Sequence, residues 1–111
     1  MKNEYGVPLD RNGYAESVIQ QDKTKCFLCG RRNDKLDRHE PFGGALREKS
    51  QRLGIWVCLC HSGCHQGPDG VHSNAEKAKK LKRQAQEIAM EYYGWSLDDW
   101  HREFGKNYLD I

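Results

Sequence analysis

Apolar positions recur along this chain with two different periods. From Ala75 onward, Ala78, Leu81, Ala85, Ile88, Ala89 and Tyr92 return at helical spacing. The preceding Ser73-Asn74-Ala75-Glu76 reads as a capping box, with Ser73 at the N-cap and Glu76 three residues on. A helix over about 74–93, stopping at Gly94, is therefore expected. Ser96-Leu97-Asp98-Asp99 caps a second, shorter helix over about 96–104, which Gly105 ends. Tyr108, Leu109 and Ile111 are positioned to pack a tail back on the core.

Strand signals are shorter. Ile55-Trp56-Val57-Cys58-Leu59 is β-branched, aromatic and brief, the best strand in the chain, and it leads directly to Cys60. Leu36 to Phe42 reads as a second strand, interrupted by Gly43-Gly44. Ala45 to Leu53 is either a helical turn or a basic loop, and Gly54 punctuates it. Gly63, Gly67, Pro68 and Gly70 mark a loop. Residues 1–24 are polar and carry Gly6, Pro8 and Gly13, with only Val18 and Ile19 as anchors. They form an irregular, flexible arm that either drapes over the domain or stays mobile, and residues 25–111 make the domain itself.

Composition sharpens this picture. With 111 residues, 31% charged and only 37% hydrophobic, the chain supports one domain around a small core. A small core benefits from a staple, and zinc supplies one. The net charge of +2 says little, but its distribution says more. Lys77, Lys79, Lys80, Lys82 and Arg83 crowd one stretch, and Arg31, Arg32, Lys35, Arg38, Arg47, Lys49 and Arg52 fill another. Such faces suit phosphates, with Arg38, Lys77, Lys79, Lys80 and Arg83 as the candidate contacts; the plainer reading of the first cluster is a solvated helix face. Met1-Lys2-Asn3-Glu4-Tyr5 carries no apolar leader, and no stretch approaches the roughly 18 apolar residues of a membrane span. A cytoplasmic protein with no membrane partner is the expectation.

In a reducing compartment, paired cysteines bind metal more often than they form disulfides. Cys26-Phe27-Leu28-Cys29 and Cys60-His61-Ser62-Gly63-Cys64 are two such half-sites. Cys26, Cys29, Cys60 and Cys64 are the expected ligands of a structural Zn²⁺. Cys58 is the spare thiol; it could replace Cys60, but only Cys60 pairs naturally with Cys64. His61 is the less favoured ligand.

A second constellation comprises Asp37, His39, Glu40, His65 and His72, with Asn74 close by. A hydrolytic metal site needs two or three hard or borderline ligands, an open position and a base to activate water. Histidine suits the base because its ordinary pKa lies near neutrality. Knuckles that draw the two halves together would let these side chains converge.

Leu36-Asp37-Arg38-His39-Glu40-Pro41-Phe42-Gly43-Gly44, with Leu59-Cys60, Cys64-His65 and Gly70-Val71-His72-Ser73-Asn74, resembles the HNH endonuclease family. More narrowly it is similar to small HNH-like proteins of bacteriophages and prophages, as is the ending Phe104-Gly105-Lys106-Asn107-Tyr108-Leu109. The likeness covers about residues 24–109. It implies an α+β fold, a small zinc-stapled ββα-metal (His-Me finger) domain with a C-terminal helical extension. It also implies a metal-dependent cut in double-stranded DNA inside a bacterial host, with a phage or host protein as a further partner. Carried over, His39 is the general base and His65 a ligand of Mg²⁺ or another divalent ion, with Asp37 and His72 as further candidate ligands. Registering the motif one residue later makes Glu40 the base and His39 the ligand. Two positions depart from the family: Arg38 stands where it has an acid or histidine, and Ile55, Trp56 and Val57 occupy the place of its middle asparagine. His72 or Asn74 would have to substitute. The alternative function is a catalytically inactive zinc module that binds DNA or a protein.

Overall fold

In a computed structural model of the chain, which describes residues 1–32 and 34–110, two strands, three helices and two short helical turns surround one core. Strand β1 (Leu36–His39) pairs antiparallel with β2 (Val57–Cys60) in the register Leu36–Cys60, Asp37–Leu59, Arg38–Cys58, His39–Val57. Alternation then places Asp37 and His39 on one face of the hairpin and Leu36 and Arg38 on the other. The first strand is shorter than the expected Leu36–Phe42. Pro41 has no N–H to give a ladder, and Phe42 turns into the core, 3% exposed. The second starts later than expected and includes Cys60.

Between the strands the chain makes a 3₁₀ turn (Gly44–Leu46) and helix α1 (Arg47–Leu53). Ser50, buried in α1, donates from Oγ to the Phe42 carbonyl at 2.8 Å and ties the helix to the strand exit. Gly54 ends α1 at φ +72, and a Cβ there would lie 2.2 Å from the Glu16 carbonyl oxygen, so no other residue fits. After β2 a single π-helical turn (His61–His65) leads through a loop into α2 (Ala75–Tyr93), and α3 (Leu97–Phe104) follows. The cap of α2 is Asn74 and not Ser73: the Asn74 side chain accepts from Lys77 N–H. Ser73 and Asn74 both donate their N–H groups to the Gly70 carbonyl, a loop turn that leaves Asn74 at the helix mouth. In α3 the Ser96–Asp99 capping box is complete.

Leu81, Ala85 and Ala89 of α2 pack with Leu53, Ile55, Trp95, Trp100 and Phe104. Trp100 is fully buried and stacks on Phe104 with ring centroids 4.5 Å apart. Gln86, also fully buried, holds the C-terminal tail by donating to Asn107 Oδ1 (2.8 Å) and accepting from Tyr108 N–H (2.7 Å). Tyr108 lies against Phe42 at 5.5 Å; Ile111, the last expected tail anchor, lies outside the described residues.

The first 24 residues, expected as a flexible arm, lie along the domain. Ala15 N–H donates to the Gln51 carbonyl, the Trp56 indole N–H donates to the Ala15 carbonyl, and Val18 N–H donates to Gly54. Buried Gln20 accepts from Cys58 N–H and donates to the Asp22 and Lys25 carbonyls, linking the arm to β2 and the first knuckle. No helix among the described residues is long and apolar enough to cross a membrane.

Candidate metal centre and histidine groove

The knuckle at residues 26–31 is closed by backbone bonds from Cys26 N–H to Arg31 and from Gly30 N–H to Cys26. Its Phe27 N–H donates to Cys58 of β2, which brings Cys26 and Cys29 beside Cys60. The π turn then returns Cys64 to the same point, its N–H donating to Cys60 Sγ at 3.2 Å. The four sulfurs lie within 4.8 Å of one another, and Cys29 and Cys60 sulfurs are 3.7 Å apart. Tetrahedral Zn²⁺ with Zn–S bonds of about 2.3 Å needs edges of about 3.8 Å, so these four cysteines could hold a metal ion such as zinc. Cys58, buried under the arm, is not part of the cluster, and the alternative in which it replaces Cys60 falls away.

The thiols differ in acidity. Burial pushes Cys26 up, but backbone N–H groups of Cys29, Cys60 and Leu28 more than offset it and bring the thiol down to about 7. Burial and the neighbouring thiols push Cys64 far above its ordinary value. Gathering four thiolates at this point is unfavourable without a cation among them, and a metal ion such as Zn²⁺ would supply that charge.

On the hairpin's other face His39, His65 and His72 meet, with ligand atoms within 4.8 Å of one another. Their ring centroids are separated by 5.2 Å (His39–His65), 5.3 Å (His39–His72) and 4.7 Å (His65–His72). His72 reaches this point because the loop before it folds tightly back on the π turn. Val71 N–H donates to Cys64, and a Cβ at Gly70 would sit 2.7 Å from the Gly63 carbonyl oxygen. His65 Nε2 lies 3.0 Å from His72 Nε2, while its Nδ1 lies 2.9 Å from Asp37 Oδ2. Donating from Nδ1 to the carboxylate leaves the His65 Nε2 lone pair facing the other imidazoles. This carboxylate–imidazole pair is the arrangement that orients a metal-binding histidine. The three rings could hold a metal ion.

Asp37 does not join that trio. Its Oδ2 is also 2.6 Å from Nδ1 of His61, so Asp37 stands behind His65, between it and the solvent-facing His61. Burial pushes its carboxyl up, but the hydrogen bonds from His65 and His61 outweigh this and hold it below the usual range. Asp37, His61 and His65 form a second close group, which gives His61 a partner that the sequence did not suggest. Glu40 is also committed: it accepts from Gln51 Nε2 at 3.0 Å and faces Arg47 at 3.9 Å. Asn74 cannot stand in for a groove asparagine, because its side chain caps α2 and donates to Asp69 at 2.7 Å.

Desolvation, followed by the charges of His65, His72, Lys82 and Arg47, lowers His39 to about 4. It is thus a neutral imidazole at physiological pH. The groove around it, about 600 Å³, is bordered by the cations Arg38, Arg47 and Lys82. Lys77, Lys79, Lys80 and Arg83 line a different groove, of about 710 Å³, beside Phe27, Leu28, Cys29 and Cys64. Within it Lys77 is bound to the Asp69 carbonyl (2.7 Å) and Arg83 to that of Tyr108 (3.3 Å). Of the five cations singled out from sequence only Arg38 borders the histidines. Lys82 was identifiable from its register: it sits one helical turn after Ala78, and both line the histidine groove. Comparison with protein-family models, with curated proteins and with solved structures finds no match to this chain.

Proposed function

We propose that this protein is a metal-dependent endonuclease of the HNH type, hydrolysing DNA phosphodiester bonds, with a cysteine-bound zinc as its structural staple. The observation that carries the reading is the meeting of three imidazoles in an open groove bordered by Arg38, Arg47 and Lys82. His39, kept neutral by burial, takes a proton from the attacking water. It is freer to act than Glu40, whose carboxylate is engaged by Gln51 and Arg47. His65, oriented from behind by Asp37, and His72 are the ligands for a divalent ion. Such an ion supplies positive charge against the scissile phosphate. Nitrogen donors favour Mn²⁺, Co²⁺, Ni²⁺ or Zn²⁺ over Mg²⁺, which prefers oxygen. Arg47 and Lys82 hold flanking phosphates without reading bases.

The test is nicking of supercoiled plasmid with Mn²⁺, Mg²⁺ or Zn²⁺ added to zinc-loaded protein. Metal-dependent nicking that His39→Ala abolishes is the expected result; nicking unchanged by His39→Ala sinks the assignment. A second reading, a catalytically silent zinc module that binds DNA or a phage or host protein, rests on a separate observation. Ile55, Trp56 and Val57, where the family has its middle asparagine, are 0%, 4% and 0% exposed and present nothing to the groove. DNA binding without nicking under any of these metals would favour it.

A further inference from the structure

Arg38 projects from the opposite face of β1 to His39 and is held by the N-terminal segment. Its guanidinium carbon is 4.4 Å from the Tyr14 ring centroid and 4.8 Å from that of Trp56. Those rings meet edge to face, 5.9 Å apart at 87°, and the Trp56 indole is pinned by its bond to Ala15. Asp10 approaches the same guanidinium, with Oδ2 3.9 Å from Nη1. The other carboxylate oxygen is engaged: Oδ1 accepts from the N–H groups of Asn12 (2.8 Å) and Tyr14 (3.0 Å) and closes the turn. Arg38 and Tyr14 border the histidine groove and also a smaller one, of about 320 Å³, that Asp10 lines.

We infer that Arg38 is a phosphodiester subsite whose charge Asp10 occupies in the free protein, so that a substrate phosphate binds by displacing an internal carboxylate. The inference rests on reading the histidine groove as a phosphodiester site. Contact with two ring faces set nearly at right angles confines the guanidinium in advance, which favours its capture of a phosphate. The Asp10 contact is easily exchanged. At 3.9 Å it is an ion pair without a hydrogen bond, and both side chains are 45% exposed. Pairs of that kind shift an equilibrium by no more than about fivefold. The N-terminal segment thereby belongs to the substrate site: Tyr14 is a positioning residue for Arg38, and Asp10 is its competitor.

A double-mutant cycle tests this by fluorescence anisotropy with a labelled DNA duplex, without added divalent metal. Asp10→Asn retains a carbonyl oxygen to cap the turn, so the segment keeps its fold; Asp10→Ser, with a hydroxyl acceptor, serves as the second variant. In the wild-type background, removing the Asp10 charge should tighten binding about three- to fivefold, and Arg38→Gln should weaken it. In the Arg38→Gln background the Asp10 change should have no effect. Equal tightening in both backgrounds would show only the change in total charge and would overturn the inference, as would no tightening in wild type. The cycle without any nicking would uphold the subsite and defeat the nuclease reading. Nicking without the cycle would do the reverse, and a wild-type protein that does not bind the duplex defeats both.

Discussion

The cysteine cluster and the histidine groove are built from the same hairpin, yet they solve opposite problems. Both gather three or four donor atoms within 4.8 Å. The sulfur site is closed in its coordination: four thiols fill a tetrahedral shell, and short backbone bonds hold each knuckle, with Cys26 and Cys60 buried although Cys29 reaches the surface. The imidazole site is open: His72 is exposed, and the donors come from a strand, a π turn and a loop. A closed soft site binds metal as part of folding, whereas an open borderline one leaves room for a substrate. Their dependence is one-sided. His65 follows Cys64 directly, so the groove needs the cluster, but no cysteine needs the histidines.

That asymmetry sets the largest expected effect. Cys60→Ser should abolish stoichiometric zinc and unfold much of the domain, a loss on the order of 10 kcal/mol. Cys58→Ser alters another buried thiol, outside the cluster, and should keep one zinc per chain. Zinc content by mass spectrometry with far-ultraviolet circular dichroism checks both; identical behaviour of the two variants would break the distinction between ligand and spare thiol. Next in size, His39→Ala should lower nicking by about 10²- to 10⁴-fold while zinc content stays at wild-type level. Loss of zinc in that variant would mean that the two sites are not separable.

The two sites were unequally legible in the sequence. Cysteine ligands show themselves by local spacing, because each pair sits on one turn, and only the choice between Cys58 and Cys60 depends on register. Helix α2 was equally visible through Leu81, Ala85 and Ala89, although its cap lies one residue on from Ser73, where the Gly70 turn leaves Asn74. The groove was only partly visible. His39, His65 and His72 could be named, but their meeting depends on a loop backbone packed against Gly63 and Cys64, which no periodicity records. Asp37 stood among the candidate ligands by its neighbours in sequence, and the hairpin's geometry groups it with His65 and His61, apart from His39 and His72. Tyr14 and Asp10 were hidden because what brings them to Arg38 is long-range, through bonds such as Trp56 to Ala15. Such contacts leave no local trace in a polar, glycine-bearing segment.

A smaller effect separates the sites by pH. In protein with no metal at the histidines, His39 titrates near 4 in the folded state, against an ordinary value of 6.5. The unfolded chain therefore binds the proton first, and the stability that neutral His39 contributes is fully present above about 6.5. It is lost progressively as pH falls toward 4. Between pH 7.5 and 5.5 the loss should be about 1 kcal/mol after allowance for partial exposure. His39→Asn should lack this slope in urea unfolding, and an equal slope in both proteins would mean that the groove does not desolvate the imidazole as the geometry implies.

The smallest expected effect distinguishes the two cationic grooves. Lys82 borders the histidines, whereas Lys79 and Lys80 border the cysteine knuckle on another flank of the same helix. None should matter much for folding, since changes at surfaces of this kind usually stay within about 0.5 kcal/mol. If DNA lies in the histidine groove, Lys82→Ala should reduce the slope of log affinity against log salt by about 0.9, one phosphate contact. It should also slow nicking at limiting DNA. Lys79→Ala with Lys80→Ala should leave nicking at saturating DNA unchanged, and it should flatten the salt slope only if the duplex crosses α2 to reach the second groove. Titrations at several salt concentrations with all three proteins separate these cases. A slope that responds to Lys79 and Lys80 but not to Lys82 would place the DNA on the knuckle side, away from His39, and would leave the imidazoles without a substrate.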